Sequence, residues 1–161
     1  MRTSLLSILS LALAIVLSAP LPAAFAEDGA VRVATKKGKF ADVRSDLEEA
    51  IVNQGLKIDF NGKVGDMLKR TGADVGSTKT IYSSAEYFTF CSAQLSRAAM
   101  EADPANISHC PYTIFVYERA EQPGVVYVGY RRPQGQGSDA SRKATAAIDK
   151  LLEKILTSVA K

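Results

Sequence analysis

Cys91 and Cys110 are the residues of this 161-residue chain best placed to do chemistry. Two cysteines can close a structural disulfide wherever the compartment is oxidising. Closing the 18 residues between them would remove unfolded-state entropy worth roughly 3 kcal/mol. A helix predicted after Cys91 carries the chain roughly 16 Å away at 1.5 Å per residue. An extended run from Asp103 to His109 could bring it back, at up to ~3.3 Å per residue. Three readings stay open: a disulfide, two buried free thiols behaving as small core residues, or a reactive or ligand-binding thiol. The third is motivated by Cys91 at a predicted helix N-terminus, where the dipole favours thiolate. The absence of a C-x-x-C spacing counts against it.

The other candidates have simpler explanations. His109 is the one histidine and precedes Cys110, but neighbours on a strand point to opposite faces, so an exposed loop histidine is expected rather than a Cys-His dyad. A metal or haem site could draw on Cys91, Met100, His109 and Cys110. Copper sites of this type use two histidines, and no C-x-x-C-H is present, so neither metal nor cofactor is expected. Glu48-Glu49 and Glu101 with Asp103 read as solvated charge. Gly135-Gln136-Gly137-Ser138 lacks the fingerprint of either nucleotide motif and reads as a linker and helix cap. Asn106-Ile107-Ser108 matches a glycosylation sequon and is expected to stay unmodified.

The elements that position these residues follow from periodicity. Val31 and Val33 alternate with Arg32 in a short strand ending at Lys36-Lys37-Gly38. Phe40, Val43, Leu47, Ala50 and Ile51 share one helical face, with Gly55 placed to end that segment in a left-handed conformation. Leu56, Ile58 and Phe60 alternate with Lys57 and Asp59, which predicts a strand with one wet face. Asn61 is expected to cap a short helix carrying Val64, Met67 and Leu68, stopping at Gly72. Ile81 to Phe90 reads as a strand, and Ser92 as the cap of a helix with Leu95, Ala98, Ala99 and Ala102 inward. Pro111 to Tyr117 and Val125 to Tyr130 form a hairpin across Glu121-Gln122-Pro123-Gly124, central in its sheet because both faces are apolar. Ser138 caps a last helix, 139–160, with Ile148, Leu151, Leu152, Ile155, Leu156 and Val159 on one stripe. The order is β-α-β-α-β-α-β-β-α, an α+β fold with a mainly antiparallel sheet.

The chain opens with a predicted cleavable signal peptide over residues 1–26. Arg2 is its lone charge, an apolar run spans Leu5 to Leu17, and Ala24-Phe25-Ala26 before Glu27 fits the small-x-small cleavage rule. Thirteen apolar residues are too few for a span, which takes about 20. Removing the segment leaves one domain of 135 residues, 27–161, with 19 basic against 17 acidic side chains. That balance argues against a nucleic-acid partner, which normally shows as a concentrated basic face. With no second apolar run, no membrane span is expected in the mature chain, and its expected location is the periplasm, where disulfides are permitted.

Tyr87-Phe88-Thr89-Phe90-Cys91-Ser92, Ala102-Asp103-Pro104, Cys110-Pro111-Tyr112 and Val116-Tyr117-Glu118 together resemble the exported branch of the domain-of-unknown-function family numbered 302. Phe40, Val43, Leu47, Ile51 and Gly55-Leu56 look like that family's opening helix and strand, and Arg131-Arg132-Pro133 like the close of its hairpin. The resemblance covers about residues 35–133. It implies a compact α+β domain, with pairing into homodimers among its forms, and assigns no activity. The six tyrosines are expected to pack in the sheet, with a sheet face or edge for dimerisation or a small apolar ligand as the minority reading. The resulting expectation is an exported, non-catalytic ligand- or partner-binding protein. The alternatives are a thiol- or metal-dependent redox protein using Cys91 and Cys110, and a structural homodimer.

Overall fold

Residues 29–161 are described by a computed structural model. The predicted cleavage site at Ala24, Ala26 and Glu27, and the rest of the leader, lie outside the described residues. Five strands, β1 (Val31–Lys37), β2 (Ile58–Gly62), β3 (Tyr82–Phe90), β4 (Tyr112–Arg119) and β5 (Val125–Arg131), form one sheet in the order β1-β5-β4-β3-β2. Every neighbouring pair is antiparallel. Helices α1 (Phe40–Val52), α2 (Val64–Thr71), α3 (Ala93–Ala102) and α4 (Asp139–Val159) complete the predicted order, with the β4–β5 hairpin inside the sheet.

The core lies between one sheet face and α1, α3 and α4. Val43, Leu47 and Ile51 of α1 and Ile148, Leu152, Ile155 and Val159 of α4 meet Phe88, Ile114, Val116, Val126, Val128 and Tyr130 from the strands. These strand residues sit at alternate positions, as the two-residue repeat of a strand requires. Ser92 and Ser138 cap their helices as expected, accepting from the backbone N–H of Leu95 and Ser141.

Four local expectations fail for identifiable reasons. A bulge between Ile58 and Phe60 breaks the alternation of β2. Ile58 therefore packs on the core while Phe60 stands 56% exposed on the other side. Asn61 does not cap α2. It lies within β2, where its amide donates to the Tyr87 carbonyl, and Lys63 precedes the helix without a side-chain cap. Ala98 is exposed, and Ser96 takes the inward place on α3 beside Leu95 and Ala99. Finally, the segment back to Cys110 is not extended but a 3-10 helix, Pro104–His109. Pro104 opens it in a position that needs no N–H, and Asp103 accepts from the Ala105 N–H.

A charged network closes the core along β1, β5 and α4. The Tyr130 hydroxyl donates to Asp149 and Glu153, Arg132 pairs with Asp149 and Arg32 with Glu153. Burial works to raise the Asp149 carboxyl, but hydrogen bonds from Arg132 and Tyr130 and the nearby Arg32 charge outweigh it and hold the group below the ordinary aspartate range. A carboxylate with a depressed folded pKa contributes stability above its unfolded pKa and loses it as pH falls through the folded value. Urea midpoints should therefore hold from neutral pH to about pH 4 and drop below that. Asp149→Asn should lower the neutral midpoint and flatten the acid slope; an unchanged slope would remove Asp149 from the acid response.

Candidate functional site

The two cysteines meet at one end of the sheet. Phe90, the last residue of β3, pairs with Tyr112, the first of β4. Cys91 follows the one and Cys110 lies two residues before the other, across a cis Cys110–Pro111 peptide. The 3-10 helix is held in place by Asn106, a buried side chain whose amide donates to the Ala99 carbonyl and to Ser141 Oγ, each at 2.8 Å. With its nitrogen so engaged, the sequon asparagine is an internal strut that ties the segment before Cys110 to α3 and α4.

Both cysteines are half-buried free thiols. Cys110, Ser96 and the Tyr112 backbone are the groups near enough to the Cys91 sulfur to shift its titration. Ser96 Oγ stands 3.2 Å from Cys110 Sγ and 2.8 Å from the Tyr112 hydroxyl. Burial, then the hydrogen bond and like charge of Cys110, push the Cys91 thiol up, against smaller lowering by Tyr112 and Ser96. Burial likewise pushes the Tyr112 hydroxyl up to about 12. Burial and the second thiol thus work against the thiolate that a helix N-terminus favours. Sequence reasoning found the cysteines and missed Ser96 and Tyr112. The available signal was the spacing of Ser96 one turn after the Ser92 cap.

His109 ends the 3-10 helix and lines a cleft of about 330 Å3 with Val31, Tyr112, Phe115, Arg131 and Leu152. It is half-buried rather than exposed. Met100 sits on α3, half-buried. Among the described residues, no three His, Cys, Asp or Glu side chains converge as a metal site would require.

The second feature is the sheet face opposite the helices. One row of paired residues crosses all five strands: Val33, Gly129, Phe115, Tyr87 and Gly62. A methyl group at Gly129 would stand 2.6 Å from the Phe115 ring, and one at Gly62 would collide with the Tyr87 ring. The two glycines thus give the neighbouring aromatic rings room beside the backbone. Beside this row Tyr117 stacks on Tyr127 with centroids 4.8 Å apart, Tyr82 meets Tyr117 edge-on, and Arg119 covers Tyr127 at 4.7 Å. Val31 and Val33 are 45% and 49% exposed on the same face. Helix α2 crosses only its β3 side, where Gly65 approaches the Ala85 backbone. Met67 and Leu68 of α2 remain exposed beside it. Among the described residues, no helix is long and apolar enough to cross a membrane.

This architecture has a counterpart among solved structures. An uncharacterized conserved protein of the DUF302 family from Bacillus stearothermophilus superposes with a TM-score of 0.66 at 16% identity, over 80% of this chain and 97% of that one. At that identity the likeness concerns the fold. No curated protein matches the chain. The profile of the domain of unknown function DUF302 matches residues 31–159, taking in α4 as well as the stretch from β1 to the hairpin. The chain belongs to the DUF302 family.

Proposed function

We propose that this is an exported, non-catalytic domain that works by binding, that its binding surface is the open sheet face, and that the occupant of that face is a second copy of the chain. The observation that carries the reading is the apolar row from Val33 through Phe115 and Tyr87. An antiparallel sheet with one face on its core ordinarily turns polar residues outward on the other. Here the row across that face holds valine, phenylalanine and tyrosine, with Phe60, Met67 and Leu68 alongside, and threonines and Arg131 fill the outward positions to one side.

The size of the face favours a protein occupant over a small ligand. Five strands about 4.8 Å apart, each about seven residues long at ~3.4 Å, give a plane of roughly 550 Å2, with α2 covering the part of it over β3 and adding its own exposed Met67 and Leu68. With side-chain relief added, that approaches the ~800 Å2 per partner of a standard interface. Two such faces can pack as sheets do in a sandwich, about 10 Å apart. The reading of export rests on the leader composition of residues 1–26 and places the dimer in the periplasm.

Sedimentation of the mature chain tests the assignment. The wild type is expected to sediment as a dimer at micromolar concentrations. Val33→Asp with Phe60→Asp places two charges on exposed positions and should weaken the dimer by more than about 100-fold, with an unchanged circular dichroism spectrum. A wild-type monomer at all concentrations, or a dimer indifferent to both substitutions, overturns the proposal.

A further inference from the structure

We propose that Cys91 and Cys110 form a reversible dithiol–disulfide couple, a modification site whose reactant is a disulfide-bearing oxidant of the thiol-exchange class. The two sulfurs come from separate segments, the end of β3 and the approach to β4, and are brought together by the Phe90–Tyr112 register and the Asn106-anchored 3-10 helix. The site holds more than sulfur. Ser96 Oγ lies against Cys110 Sγ at 3.2 Å and against the Tyr112 hydroxyl at 2.8 Å. A thiolate formed at Cys110 therefore has a hydroxyl donor already in place, and the Phe90–Tyr112 pairing sets Cys91 beside the segment that carries Cys110.

The exchange balances without any other reagent. One thiol loses its proton and attacks a sulfur of the oxidant R–S–S–R, whose S–S bond breaks to release one R–SH and leave a mixed disulfide. The second cysteine, also deprotonated, attacks the protein sulfur of that mixed disulfide. The second R–SH leaves, and the bond between Cys91 and Cys110 is formed. Two thiols give up two protons and two electrons, and the oxidant's two sulfurs take them. The proximity that raises the Cys91 thiol, by placing a second ionisable sulfur beside it, is relieved once the bond forms and neither sulfur can carry charge.

The bond would tie together the two ends of the segment made by α3 and the 3-10 helix. Its main effect falls on the unfolded chain, where it closes a loop that is otherwise open. The folded-to-unfolded ratio is expected to rise by about 100-fold, from a loop of this length.

The reduced mature chain, incubated in mixtures of oxidised and reduced glutathione and then trapped with iodoacetamide, gives the test by intact mass and peptide mapping. The expected result is a species lacking both trapped groups and lighter by two hydrogens. Its peptides should be linked through Cys91 and Cys110, with a higher thermal midpoint, and excess dithiothreitol should reverse it. Cys91→Ser and Cys110→Ser should each take up a single glutathione instead, marking the remaining sulfur as reactive. Two outcomes overturn the proposal in a wild-type chain shown to be folded by circular dichroism. In one, both thiols stay alkylatable at every glutathione ratio; in the other, both carry glutathione without linking.

Discussion

Phe88→Ala is expected to cost about 4 kcal/mol of folding stability, near the middle of the range for phenylalanine truncations in a core. Phe88 is fully buried in β3, between Asn61 on β2 and Ile114 on β4. Truncation removes its transfer free energy and leaves a cavity that three hydrogen-bonded strands cannot collapse to fill. It also removes the surface over which Arg44 lies, 5.0 Å from the ring centroid. Arg44 is the hub of a polar cluster, pairing with Glu48 and Glu86 and reaching Asn61. Losing the ring therefore loosens the contact between α1 and β2 as well as the core. Against a total of 5–15 kcal/mol for a domain of ordinary size, that is a large share. Urea unfolding of residues 27–161 measures it, and a loss under about 1.5 kcal/mol would show that the site repacks.

Gly129→Ala is expected to cost about 3 kcal/mol, the upper end of what overpacking usually does, although it adds a single methyl group. That methyl would stand 2.5 Å from the Arg32 carbonyl oxygen on β1 and 2.6 Å from the Phe115 ring on β4. A ring can swing away; a carbonyl in a paired strand moves only with its strand. Adding Phe115→Ala should therefore restore little. Gly62 is the control. The nearest obstacles to a methyl there are all atoms of the Tyr87 ring, so Gly62→Ala should be largely rescued by Tyr87→Ala. Double-mutant cycles separate the cases. A Gly129→Ala/Phe115→Ala chain as stable as Phe115→Ala alone would mean the ring was the whole obstacle.

The element order could be read from the sequence because each segment keeps a clean period. Val43, Leu47 and Ile51 repeat as a helix face and are all buried, and the α4 stripe does the same except for the half-buried Leu151. Periodicity says nothing of what happens between partners. The bulge that turns Phe60 outward is a property of the β2–β3 pairing, and no residue type in β2 announces it. Asn61 is a good capping residue by type, yet its amide is better satisfied by the Tyr87 carbonyl across the sheet. The 3-10 helix was hidden because Pro104-Ala105-Asn106 suits a loop equally well, and its anchor is a contact to α4, 35 residues away. The same limit governed the site. Two cysteines could be singled out by type and number, whereas Ser96 and Tyr112 join them only through register and helix phase. The open face stood in the sequence only as a minority reading of the tyrosines, because alternating valines and aromatics look alike whether the second face is covered or bare.

The placement of β1 sets the order in which the molecule can be finished. Val31, near the start of the described chain, pairs with Arg131, and α4, which packs on both strands' end of the sheet, comes later still. The first strand made is thus without a partner until nearly the whole polypeptide exists. Closing so long a loop costs entropy before any contact repays it, and contacts this distant in sequence slow folding. A sheet fastened first to last delays its own completion for as long as its C-terminal end is withheld. The same arrangement joins the fates of the two ends: fraying of β1 uncovers β5, and loss of α4 removes the Glu153 and Asp149 partners that hold Arg32 and Arg132.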